Sequence, residues 1–307
     1  MNLRCPSCMG AMRWANGADT VSCAGGHHFG VEDEVLRLLT PQRRAQLDAF
    51  GADVRRYRDA EGLSAQTLDF ERLPASAIAD PQWRERADDL AFVRRVARGI
   101  QRARAAGSDA ATAAQRTTLT GLDIGAFNGW LSHNLLCDGV DITAVDLFDD
   151  DDFGLGARRH FHRRWRAVQA DVCTPELFAG DFDLVVMNHG VHFLPDPTAL
   201  LARWQHRVAP GGAMVVLGLR IYRDGRARRD EVDAIARRGS ASGATLFPLA
   251  GPGLLDVDDA RTLRRLGFAL RPTAARWKGN LRAILQLSPM LRSTAPVHLR
   301  AVYRRPG

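Results

Sequence analysis

The chain has 307 residues, 46% of them hydrophobic, which suits one α/β domain with a small accessory module and excludes a disordered polymer. No apolar run reaches the roughly 18 residues that span a bilayer, so no membrane partner is expected. The formal charge is 42 − 35 = +7, but Lys278 is the only lysine and the arginines are scattered, so charge alone does not mark a nucleic-acid face.

Residues 1–40 begin Met1-Asn2-Leu3-Arg4-Cys5-Pro6, without the apolar core of a secretory signal, and a cytoplasmic location is expected. Of the five cysteines, Cys5, Cys8 and Cys23 cluster early, with Cys137 and Cys173 far behind. An odd, clustered set does not describe a disulfide framework. Cys5-Pro-Ser-Cys8 and Cys23-Ala-Gly-Gly-His27 instead form two ligand pairs, the pattern of a tetrahedral zinc site built from two knuckles. Gly25 and Gly26 suit a tight knuckle, and the fourth ligand is His27 or His28. Four protein ligands leave no open position, so the zinc would be structural.

Residues 41–106 read as helical. Asp80-Pro81 is a helix start, with Asp as cap and Pro in the first turn. Trp83, Ala87, Leu90, Ala97 and Ile100, widened by Val93 and Val96, then recur on one face. Residues 107–118 are small and polar and read as a linker.

From 119 onward strands and helices alternate. Strands are expected at 119–124, 141–146, 166–170, 182–188, 213–219, 267–271 and 297–303, and helices near 129–137, 197–208 and 226–238. This alternation predicts an α/β fold with a mostly parallel sheet covered on both faces. Leu122-Asp123-Ile124-Gly125-Ala126-Phe127-Asn128-Gly129-Trp130 is a strand, a glycine turn and a helix start. Thr143-Ala144-Val145-Asp146 then ends the second strand in an acid, the layout that binds a nucleoside at the carboxyl edge of a parallel sheet. Asp171 ends the third strand, and Asn188-His189-Gly190 follows the fourth. A dinucleotide fingerprint needs Gly-x-Gly-x-x-Gly, whereas the spacing here is Gly-x-x-x-Gly.

This succession resembles the class I S-adenosylmethionine-dependent methyltransferases over roughly residues 118–220. It is similar in particular to bacterial members with an N-terminal zinc ribbon, through Phe127-Asn128-Gly129-Trp130-Leu131-Ser132, Ala144 to Leu147 and Gly154 to Ala157. The resemblance implies a Rossmann-like, seven-stranded sheet. It divides the chain into a zinc ribbon (1–40), a helical connector or cap (41–117) and a methyltransferase domain (118–307). It implies that Asp123, Gly125 and Gly129 lie along the methionine part of the cofactor. Asp146 would accept from the ribose with Leu147 beside it, and Asp171 from the adenine amino group with Val172 at the ring. Asn188 would sit near the methionine end. Cys23-x3-His27 followed by Phe29 is similar to the ribbon of the ribosomal RNA large-subunit guanine-N1 methyltransferases, which favours His27 as the fourth ligand. One position departs: Phe127 stands where the family's turn has a central glycine.

Methyl transfer needs a general base only where the acceptor must lose a proton. His189 and His192 are the candidates, and Tyr222 is a third. The fourth strand lacks the Asn-Pro-Pro-aromatic motif that grips exocyclic amino groups of bases. The expected acceptor is an O or N atom of a small molecule, in specialised metabolism. An RNA base is the alternative, supported by charge and ribbon, and a non-catalytic binding protein is the third reading, supported by Phe127. The oligomeric state stays open, a dimer included.

Overall fold

The computed structural model describes residues 1–15, 17–60, 69–106, 118–241, 253–285 and 295–307. The stretch read as a linker falls outside them except for Thr118. Short alternating segments near the N-terminus form β1 (Asn2–Arg4), β2 (Ala11–Arg13), β3 (Thr20–Ser22), β4 (His28–Glu32) and β5 (Val35–Leu38). In the first three only the middle residue, Leu3, Met12 or Val21, is buried, as a strand facing a core on one side requires. Two helices follow, α1 (Pro41–Ala60) and α2 (Pro81–Ala106). Asp80 accepts from the Gln82 main-chain nitrogen at 2.7 Å, so α2 begins where the Asp-Pro pair predicts.

Alternation then gives β6 (Thr120–Ile124), α3 (Trp130–Cys137), β7 (Asp141–Asp146), β8 (Arg166–Ala170), β9 (Phe182–Met187), α4 (Pro197–Gln205) and β10 (Val208–Tyr222). The chain closes with α5 (Gly225–Ala241), β11 (Leu255–Asp256), α6 (Val257–Arg265), β12 (Ala269–Pro272), α7 (Trp277–Leu285) and β13 (Val297–Arg304). The fifth core strand is longer than expected. It starts at Val208 and passes through an irregularity at Gly211 (φ +72), where the sequence suggests a separate turn.

The sheet order is β12-β13-β10-β9-β6-β7-β8-β5-β4-β3, with β11 beside β10. The seven strands from β12 to β8 are the predicted mostly parallel sheet, with β13 antiparallel between β10 and β12. Winding runs from β6 through β7 to β8 on one side and through β9 to β10 on the other. The order therefore reverses between β6 and β9, the kind of switch point at whose carboxyl ends open α/β sheets bind their ligands. The sheet extends beyond the seven strands: β5 pairs parallel with β8, Val35 opposite Ala167 to Leu38 opposite Ala170, and carries β4 and β3 with it. Leu3, Cys5 and Cys23 accordingly share one buried core with Leu36, Val168 and Phe178.

Central strands bury both faces, which is why they read as nearly continuous apolar runs. One face packs Leu122, Val185 and Val216 against Leu201 and Trp204 of α4. The other packs Ala144, Leu184 and Val215 against Val93 and Ile100 of α2 and Leu131 of α3. Each such aliphatic side chain contributes about 1.5–3 kcal/mol on burial. The buried face of α2 also carries Glu85 and Asp89, 6% and 1% exposed. No helix among the described residues is long and apolar enough to cross a membrane.

Candidate functional site

The glycine turn is tied down from both sides. Gly125 donates its main-chain N–H to Val145 at 2.9 Å, and Asp146 at the end of β7 accepts from the Phe127 nitrogen at 2.8 Å and from the Phe148 nitrogen at 3.0 Å. Gly125 and Gly129 have φ of +69 and +76, the left-handed region that glycine enters without steric cost. At Gly129 space is also short: a Cβ would lie 1.9 Å from the Trp165 ring. Phe127 has φ +56, so it adopts the conformation that a central glycine would take. Asn128 is fully buried, its Oδ1 accepts from the Trp130 nitrogen at 3.3 Å, and its Nδ2 has no partner among the described residues.

Asp123, fully buried under the turn, accepts from the Ser132 hydroxyl at 2.7 Å. Burial, reinforced by the nearby charge of Asp146 and opposed by Ser132, pushes its carboxyl up to about 7. Leu147 directly follows Asp146, and the carbonyl of Leu147 accepts from Gln169 at 3.1 Å. One strand further along the edge, after β8, Asp171 is already engaged. Arg43 of α1 donates to its Oδ2 at 2.9 Å, and the Cys173 nitrogen to its Oδ1 at 2.9 Å. Val172 is half-buried beside it. A cavity of about 350 Å³ opens at this end, lined by Pro6, Leu38, Arg43, Gln46, Asp171 and Leu177. It lies on the cysteine-module side of Asp171 rather than at the switch point. Helix α1 also reaches the loop after β7, where the Phe50 and Phe148 rings stack at 5.4 Å and Arg55 pairs with Asp150 at 3.6 Å.

At the end of β9, Asn188 is 6% exposed and its Oδ1 has no partner among the described residues. His189 follows at φ +54, its Nε2 2.7 Å from Asp89. Gly190 lies against Gly125, where a Cβ on either would approach the other's Cα at 3.7–3.9 Å, so the two strand ends meet at the switch point. His192 is different: burial, helped by the Arg220 and His189 charges, drives its imidazole down to about 3, and its Nδ1 is buried without a partner among the described residues. Tyr222 packs with Ala227 and Leu254, and burial pushes its phenol up to about 12. Asn280 of α7 pins β13 by exchanging hydrogen bonds with the His298 backbone at 2.8 and 2.7 Å, while Trp277 is exposed.

The cysteine module brings Cys5, Cys8, Cys23 and His27 together, all four ligand atoms within 4.8 Å of one another. Cys8 Sγ stands 3.6 Å from Cys23 Sγ, and Cys23 Sγ 3.3 Å from His27 Nδ1. Tetrahedral zinc with bonds of about 2.3 Å to sulfur would separate two sulfurs by roughly 3.8 Å, so the donor set fits that ion. The Met9 nitrogen bonds the Cys5 carbonyl at 2.8 Å and the Gly26 nitrogen the Cys23 carbonyl at 3.0 Å, forming the two knuckles.

The family model of the methyltransferase domain matches residues 83–239, just over half of the chain. The chain belongs to the methyltransferase-domain family. The match begins inside α2, which therefore falls within the family's domain, and ends in α5. The chain is 33% identical over 96 residues to a ubiquinone biosynthesis O-methyltransferase of Aromatoleum aromaticum, covering 30% of this chain and 40% of that one. It is also 33% identical over 96 residues to an uncharacterized methyltransferase of Mycobacterium tuberculosis, covering 31% and 48%. The chain thus spans less than half the length of these curated relatives. Among solved structures, the plantazolicin methyltransferase BpumL bound to a pentazolic desmethylPZN analog and SAH gives a TM-score of 0.46 at 12% identity, covering 86% of this chain and 96% of that one. An O-methyltransferase family protein from Burkholderia thailandensis gives 0.42 at 16% identity, covering 86% and 70%.

The residues picked from the sequence fall in two places. Asp123, Gly125, Gly129, Asp146, Asn188 and His189 gather around the β6, β7 and β9 ends, and the four metal-site residues gather in the module. Asp171 and Val172 lie at the third strand end, and His192 is a half-buried, neutral ring whose Nδ1 is shielded from solvent. Sequence reasoning missed Asp89 and Arg43, which reach this edge from helices far away in sequence. The local signal for Asp89 is an acid standing, like Glu85, on the apolar face of α2.

Proposed function

We propose that this protein transfers the methyl group of S-adenosylmethionine to an O or N atom of a small molecule. The observation that carries the reading is the switch point of a methyltransferase-family sheet. There Asn188 Oδ1 and Asn128 Nδ2 are buried without partners among the described residues, beside two left-handed glycines and the Asp146 carboxylate. Buried polar atoms are rarely left unpaired, and a bound ligand satisfies them. The cofactor supplies the sulfonium methyl group, and the protein supplies position. Asp146 accepts from the ribose with Leu147 beside it, Asp123, Gly125 and Gly129 follow the methionine part with Asn188 at its end, and Asp171 and Val172 take the adenine. Holding the partners in line is worth roughly 7–11 kcal/mol of barrier.

In this reading residues 1–40 form a structural zinc ribbon on Cys5, Cys8, Cys23 and His27. Within residues 41–117, α1 caps the adenosine side, supported by its contacts with Asp171 and Phe148, while α2 packs on the sheet of the transfer domain, whose remaining part is 118–307. Five unpaired cysteines suit a reducing, cytoplasmic setting. Many arginines face carboxylates, Arg94 with Asp138 and Arg203 with Glu176 among them, which supports a small acceptor over RNA. His189 at the switch point is the favoured base over His192, whose imidazole is driven down to about 3.

Calorimetric titration with S-adenosylmethionine and S-adenosylhomocysteine tests the reading. Micromolar binding is expected, weakened about ten- to a hundredfold in Asp146→Ala, since a hydrogen bond to a charged group is worth about 1.5–3 kcal/mol. No binding by the unaltered protein would sink it.

A further inference from the structure

Three separate features fix the His189 ring. Its backbone occupies the left-handed region at φ +54. Gly218, at φ +72, sits beside it where β10 shifts register between Val216 and Leu219, and a Cβ there would stand 2.3 Å from His189 Nδ1. The ring's Nε2 lies 2.7 Å from Oδ2 of Asp89, a carboxylate of α2 that is 1% exposed. The other Asp89 oxygen faces Arg300 Nε at 3.2 Å, a charge contact that is not aligned as a hydrogen bond. Arg300 also contacts Asp88 and is 2% exposed. A strained backbone, a glycine made necessary by the ring, and a buried ion pair converge on one imidazole at the switch point between β6 and β9.

With Arg300 at its other oxygen, the Asp89 carboxylate faces the ring as a hydrogen-bond acceptor. The ring proton therefore belongs on Nε2, pointing at Asp89, which leaves Nδ1 bare. We propose that Asp89 is a positioning residue of the transfer reaction: it holds His189 in the Nε2–H tautomer so that Nδ1 serves as proton acceptor. This rests on the methyl-transfer reading above. Such a base serves an acceptor that still carries its proton at neutral pH, a hydroxyl rather than a carboxylate. The hydroxyl O–H bond breaks with its proton passing to Nδ1, an O–C bond forms to the methyl carbon, and the electron pair of the broken S–C bond stays on sulfur. The imidazolium then returns its proton to water.

The test is long-range proton–nitrogen NMR of the full chain labelled in histidine, with His189 assigned by its loss in His189→Gln. At pH 8 the His189 ring should show Nε2 protonated and Nδ1 not. Asp89→Asn should convert that single tautomer into a mixture. Addition of S-adenosylmethionine and of S-adenosylhomocysteine, which differ at the sulfonium methyl alone, should give different His189 nitrogen shifts and identical shifts for His206, which caps the C-terminal end of α4. A wild-type ring protonated on Nδ1, or His189 shifts that are the same with both compounds, overturns the proposal. If Asp89→Asn does not fold, the wild-type tautomer still decides. Absence of binding by calorimetry would instead strike the parent reading, with the tautomer measurement left to judge the dyad.

Discussion

Asp146 reaches across the first turn to accept the main-chain N–H of Phe127 at 2.8 Å, and in doing so holds a phenylalanine at φ +56. A left-handed residue with a Cβ costs about 1–2 kcal/mol. The Phe127 ring recovers part of that against Phe153, 5.6 Å away between centroids.

Phe127→Gly should therefore be nearly neutral for stability. The relief of backbone strain offsets the lost ring contact and the roughly 0.5–1 kcal/mol entropic cost of glycine. A melting temperature within about 5 °C of the parent is expected by calorimetry, with S-adenosylmethionine bound equally well or more tightly. A tenfold loss of affinity would show that the ring itself holds the cofactor. Gly129→Ala, in contrast, drives a Cβ into the buried Trp165 ring at 1.9 Å and should lower stability by about 3 kcal/mol or more.

Asp123 sets a pH dependence. Burial, with the Asp146 charge, raises its folded-state carboxyl to about 7 from an ordinary 3.8, so between those values the folded protein binds the extra proton. This contribution to stability is present at low pH and is lost as pH rises from about 4 to about 7. Asp123→Asn should flatten that part of the stability curve, leaving the unliganded variant relatively more stable at pH 8 than at pH 5. Thermal unfolding across this range checks it, and parallel curves for the two proteins would contradict it.

Arg43 competes for Asp171. The pair is partly exposed, with side chains 37% and 23% accessible, so its loss should cost at most about 1 kcal/mol of stability. If Asp171 receives the adenine amino group, Arg43→Ala should tighten S-adenosylmethionine binding by up to about fivefold. Weaker binding would make Arg43 itself a cofactor ligand.

Metal removal should be felt beyond the module. Cys5 and Cys23 lie in the same buried core as Leu36 and Val168, and β5 is hydrogen-bonded to β8. Elemental analysis should find one zinc per chain, and chelation should lower the main unfolding transition rather than melt a separate unit. Cys8→Ser tests the metal with little packing change, because Cys8 is exposed. A metal-free protein of unchanged stability would remove zinc from the account.

The alternating apolar runs after residue 119, the glycine turn with Asp146 behind it, and the cysteine spacing were legible because each is local. Strand burial, left-handed turns and knuckle geometry depend on residues a few positions apart. Phe127 was visible as a departure, although its left-handed backbone was not. Other relationships depended on packing. Asp89 meets His189 across 100 positions and Arg43 meets Asp171 across 128, since α1 and α2 dock onto the sheet edge and bring them there. The apolar stripe of α2 showed that a face would be buried, but not which carboxylates would be buried with it or what they would meet. Likewise β5 read only as part of a small module, and its pairing with β8 came from the unpaired edge that the third core strand offers. By itself the sequence determined the elements and the chemistry they carry, because period and spacing are encoded locally. Only the tertiary structure decided which charges share a site, because that depends on how distant helices pack.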